Sequence, residues 1–132
     1  MPRLSVWLVR AALLALAAGA ALGAALLAAP PLAGGLARWR PLHAELLTVG
    51  WTVQLAFGVA HWILPRFRTG RERGRDELGW AAFVLVNLGV VLVGVGRSVP
   101  GAESWALAGR SAEGLAVAAF AAQAWPRVKP FR

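Results

Sequence analysis

Six polar side chains stand where the rest of this sequence avoids polarity. The stretch RPLHAELLTVGWTVQLAFGVAHWILPRF, Arg40 to Phe67, carries His43, Glu45, Gln54 and His61 in an otherwise apolar run. Further on, Arg110 and Glu113 lie inside WALAGRSAEGLAVAAFAAQAW. A neutral imidazole is a ligand for metals and for heme iron. Arg110 and Glu113 are three residues apart, so on a helix they can pair. Alternatively, Arg110 could neutralise the propionates of a heme and Glu113 could hold a proton. Charges in apolar helices are costly and tend to be functional, though a self-contained ion pair with Arg110 reaching outward accounts for them equally well.

On an α-helix His43 and His61 share one azimuth, five turns apart, and Gly50, Gln54 and Gly58 fall close to it. The two imidazoles would be roughly 27 Å apart along the axis, so one chain cannot bring both to one metal. A His, Gly and Gln stripe must face protein, cofactor or water rather than lipid. The glycines would leave a flat groove for a planar macrocycle, with His43 as axial ligand. The competing reading is a helix-packing face, with His61 interfacial and Gln54 in an interhelical hydrogen bond. Glu45, on the far side from the stripe, could cap the helix start.

Four apolar runs must carry these residues. They predict helices over about 6–29, 42–65, 77–96 and 104–125 in a single domain, each near the ~20 residues that cross a bilayer. Hydrophobic residues make up 58% of the 132 and charged residues 15%, a balance suited to lipid rather than water. The expected fold is an all-α transmembrane four-helix bundle. The first run is longer than a signal-peptide core, which favours a retained helix. Gly19 with Gly23, and Gly89, Gly94 and Gly96, are small residues that allow close helix packing.

The charges set the sides. Four spans would put Arg3, Arg10, Arg66, Arg68, Arg71, Arg73, Arg75, Arg127, Lys129 and Arg132 on one face, and Arg38, Arg40 and Arg97 on the other. By the positive-inside rule both termini are cytoplasmic, with His43 near the outer surface and His61 near the inner one. The net charge of +8 is therefore a membrane signal, since no nucleic-acid-reading motif accompanies it. The segment RFRTGRERGRDE is expected to lie against anionic headgroups. There are no cysteines, which excludes disulfides, zinc-thiolate sites, iron–sulfur clusters and covalently attached heme. One Asn, two Gln and one Met fit a thermophile or, equally, a GC-rich genome.

The stretch RPLHAELLTVGWTVQLAFGVAHWILPR resembles the second transmembrane helix of heme-copper oxidase subunit I, closest to the C-family oxidases and nitric oxide reductase-like proteins. In that family an Arg-Pro-Leu-His start supplies an axial ligand to low-spin heme b. The matching residue is His43. The likeness covers about 27 residues and extends to small four-helix proteins of the oxidase subunit I-like kind, several of which have a second His where this chain has Glu45. Two His in all cannot furnish the three-His copper site and two hemes, so reduction of oxygen or nitric oxide by this chain alone is not expected. The resemblance implies a small heme b-binding protein of the bacterial inner membrane, in electron transfer or heme handling. In a two-fold homodimer His43 of each copy could ligate one shared heme. A cofactor-free accessory or assembly subunit of a respiratory complex is the alternative. A third reading is a site for a small ligand or gas at His43, Arg110 and Glu113.

Overall fold

A computed structural model describes residues 1–28, 34–66 and 73–128, and the described residues contain helices and no strand. Helix α1 is Arg3–Ala28. A short α2, Gly34–Ala37, leads into a second long helix built of α3 (Arg40–Glu45), a π-helical segment (Leu46–Val53) and α4 (Gln54–Ile63). Helices α5, Asp76–Ser98, and α6, Glu103–Ala124, follow, and Trp125–Arg127 forms a closing 3-10 turn. Arg68, Arg71, Lys129 and Arg132, part of the expected basic face, lie outside the described residues.

The punctuation is local. Pro41 sits in the first turn of α3, where its missing N–H costs nothing. Leu64 is extended before Pro65, which bars a further helical turn. Asp76 and Glu77 complement the positive end of α5, and Arg97 its negative end. Gly101, at φ +82°, makes the turn into α6, where the Gly101 N–H donates to Glu103 Oε1 at 3.3 Å.

Neighbouring helices run antiparallel. Gly19 meets Leu46 and Leu47 while Gly58 meets Leu8 and Val9, so α1 and the second helix run in opposite directions. Gly94 against Leu42 and Gly50 against Val90 fix the second helix on α5 in the same way. The α5/α6 contact is closest. A Cβ on Gly109 would stand 2.7 Å from the Val93 nitrogen and 2.9 Å from the Gly89 oxygen, so only glycine lets the two backbones approach. Phe57 of α4 stacks on Phe120 of α6, ring centroids 4.1 Å apart, closing the end of the bundle that carries the N-terminus.

The outside of the bundle is apolar. Leu14, Leu27, Val84, Leu107 and Leu115 are exposed, and α1 buries few side chains besides Leu4, Leu8 and Ala12. Arg3–Ala28, Gly35–Ile63 and Asp76–Ser98 are each long and apolar enough to cross a membrane. Helix α6 is as long as these need to be, at 22 residues, but carries Arg110 and Glu113. Asn87, the polar residue of α5, is satisfied within its own helix by donating to Phe83 O at 2.7 Å.

Candidate functional site

The two histidines of the second helix do not face the same neighbour. The π-helical segment winds less per residue than an α-helix; Thr52 Oγ1 donates to the carbonyl of Leu47, five residues back, at 2.9 Å. A count in α-helical turns therefore does not hold across this segment. His43 turns to α1, and His61 to the C-terminal end of α6. Gly50 and Gly58 are buried against Ala15, Leu8 and Val9, so the expected flat groove along them is filled by α1. Gln54 is fully buried, and neither of its amide atoms finds a hydrogen-bond partner among the described residues. The expected interhelical bond is absent there.

His43 lies against Gly23, where a Cβ would stand 2.6 Å from its Cε1. Its Nδ1 donates to the Gly19 carbonyl at 2.8 Å. A carbonyl only accepts, so the neutral ring carries its proton on Nδ1 and its lone pair on Nε2. His43 lines an open groove of about 590 Å³ with Ala20, Gly23, Ala24, Leu27 and Arg40. Arg40 also lines an adjoining cleft of about 650 Å³ that includes Arg38 and Arg97.

On the other side of the same helix Glu45 is buried and reaches α6. Arg110 grips it with both terminal nitrogens, Nη2 to Oε2 at 2.7 Å and Nη1 to Oε1 at 3.0 Å. Arg110 Nη1 also donates to Glu113 Oε2 at 2.6 Å. The expected Arg110–Glu113 pair is thus part of a three-residue cluster, in which Glu45 is a bidentate partner rather than a helix cap. Its basic member already donates to two carboxylates.

At the opposite end a second polar cluster forms. Arg127 is fully buried just after α6. It donates to Leu64 O at 2.7 Å, His61 O at 2.9 Å and Pro65 O at 3.0 Å, the orphan carbonyls where α4 ends. Arg73 adds a bond to His61 O at 3.0 Å. Burial, and then the Arg73 charge, hold the Arg127 guanidinium below its ordinary pKa, with Asp76 opposing. His61 is buried within the bundle, its Nδ1 accepting from Gln123 Nε2 at 2.9 Å. The sequence reading missed Arg127 because it counted only as a tail charge. The Pro at 126 that stops α6, directly before it, was the available signal.

Fold and clusters together define a class: an all-helical bundle with an apolar exterior, three helices able to cross a membrane, and charged groups sequestered between helices. No family model, curated protein or solved structure matches the chain.

Proposed function

We propose that the chain is an integral protein of the bacterial inner membrane, with four spans and both termini cytoplasmic, that binds heme b through His43. In this reading α6 spans too, because Glu45 satisfies the Arg110 charge from within the bundle. The observation that carries heme binding is the His43 Nδ1 bond to Gly19 O, which orients the ring and leaves Nε2 as the donor. Metal-ligating histidines characteristically give their other ring nitrogen to such an acceptor. The groove volume suits a cofactor-sized ligand, and Arg40 at its mouth suits the acidic edge of the macrocycle. The groove faces outward from α1 and α3 and supplies one imidazole, so a second copy related by a two-fold axis would provide the other ligand. Bound heme would supply one-electron redox chemistry; His43 would hold it and Arg40 would orient it.

A second reading is a cofactor-free accessory or assembly subunit of a respiratory complex. The burial of Gly50 and Gly58 under α1 favours it, since most of the polar stripe is spent on packing. Visible spectra after expression with ample heme separate the two. Heme binding predicts a bound chromophore that His43→Ala removes. A heme-free preparation, or a spectrum that His43→Ala leaves unchanged, excludes it; a stable partner recovered in mild detergent would then support the second reading.

A further inference from the structure

The Glu45, Arg110 and Glu113 cluster does not balance its charge. It brings two carboxylates and one guanidinium together. Both carboxylate side chains are largely buried, with 5% and 10% of their surface exposed, while Arg110 keeps 47%. Arg110 donates to both oxygens of Glu45. Glu113 receives one bond, on Oε2, and its Oε1 is buried with no hydrogen-bond partner among the described residues. Arg110 bridges the two carboxylates, its Nη1 donating to both Glu45 Oε1 and Glu113 Oε2. Ionised carboxylates offer each other only acceptors, so a single guanidinium leaves the pair an excess negative charge that one proton would cancel. Helix α5 offers no cation: it meets the Glu113 stem at Gly89, where a Cβ would stand 2.5 Å from Glu113 Cγ. The charged groups facing Glu113 are thus Arg110 on its own helix and Glu45 on α3.

We propose that this cluster is a proton-binding site, with Glu113 carrying one proton on Oε1 at neutral pH. The proton removes the excess negative charge and gives the orphan oxygen a donor role toward Glu45. A metal ion fits less well, because no group of three or more His, Cys, Asp or Glu side chains that could hold one occurs among the described residues. The site is independent of whatever His43 binds, since the two residues face different helices. It also makes the count of bound protons a simple rule: carboxylates in the cluster minus guanidiniums.

Infrared spectroscopy of the full chain in lipid nanodiscs at neutral pH reads that count from the carbonyl stretch of protonated carboxyls. Asp76, Glu77 and Glu103 are exposed on the surface, while Glu72 lies outside the described residues. The wild-type chain should show one deuterium-sensitive protonated carboxyl. Glu113→Gln should abolish it. Glu45→Gln should abolish it too, because Glu113 and Arg110 then balance one to one. Arg110→Leu should double it. A wild-type spectrum with no protonated carboxyl overturns the proposal whatever the variants do, and so does a band that survives Glu113→Gln. Replacing sodium by choline is the control for a metal cation: a band that appears only without sodium also overturns it.

Discussion

The two ends of the bundle hold an arginine in opposite ways, one fully buried and one half exposed. Arg127 is surrounded by neutral acceptors, the carbonyls of His61, Leu64 and Pro65. Arg110 is surrounded by carboxylates. The carbonyls at a helix C-terminus carry partial negative charge and cannot be protonated, so the acceptors that hold Arg127 keep one charge state, with His61 Nδ1, 3.4 Å from Arg127 Nη1, as the titratable neighbour. The carboxylates of the other cluster can exchange protons, so its charge is adjustable. The first arrangement therefore suits a fixed joint between α4 and α6, and the second suits a site whose state changes. Helix α6 and its closing turn supply Arg110, Glu113, Gln123 and Arg127, so one element couples both.

Arg127→Leu is the most severe test of the fixed joint. It strips three orphan carbonyls of their donor in a buried setting, and about 3 kcal/mol of stability should go. Arg127→Lys should recover little, because one ammonium cannot span three carbonyls as the planar guanidinium does. Unfolding in a denaturing detergent, followed by circular dichroism, gives both values; a loss below about 1 kcal/mol would mean that the joint does not hold α4 to α6. Gly109→Ala comes next. Its methyl meets backbone on α5 that cannot rotate away, and overpacking of that kind costs about 1–3 kcal/mol. Because it pushes α6 outward beside Arg110, it should also disturb the protonated-carboxyl band, whereas Arg127→Leu should leave that band in place. If both variants shift the band equally, the two ends are not separable.

Arg110→Leu should behave differently from Arg127→Leu with pH. Arg110 is half exposed, but its loss strands two largely buried carboxyls, so at neutral pH it should cost about 3 kcal/mol, comparable to the loss of Arg127. Without it, the folded chain holds more protons on Glu45 and Glu113 than the unfolded chain does. Stability of this variant must then fall as pH rises and recover as pH falls. In a His61→Gln background, which removes the imidazole beside Arg127, the deficit of Arg127→Leu should show no such recovery between pH 5 and 8, a window in which carbonyls do not titrate. Parallel pH profiles for the two variants would erase the distinction between the clusters.

The sequence makes the helices legible because run length, Pro41, Pro65, Pro126 and Gly101 are local signals. It also makes the Arg110–Glu113 pair legible, since i and i+3 meet on any α-helix. Glu45 was not legible as their partner: it is 65 positions from Arg110, and only tertiary packing brings them together. The different neighbours of His43 and His61 were not legible either. A π-helical segment lies between them, and a count in α-helical turns does not anticipate its winding. Arg127 was hidden by its own type, because an arginine beyond the last apolar run normally stays in water.

The smallest expected effect is at Gly79, beside the fixed joint. A Cβ there would run into Leu4 Cδ2, with the Gln123 side chain at 3.8 Å. The obstacle is the tip of a flexible side chain near the start of α1, not backbone. Leu4 can change rotamer, and alanine also gains helix propensity over glycine by roughly 0.5–1 kcal/mol. Gly79→Ala should therefore alter stability by less than about 1 kcal/mol in either direction, against the larger loss for Gly109→Ala on the facing helix. The same unfolding assay compares them directly. If Gly79→Ala proves as damaging as Gly109→Ala, Leu4 is held as rigidly as backbone, and the end carrying Arg127 is the more tightly packed of the two.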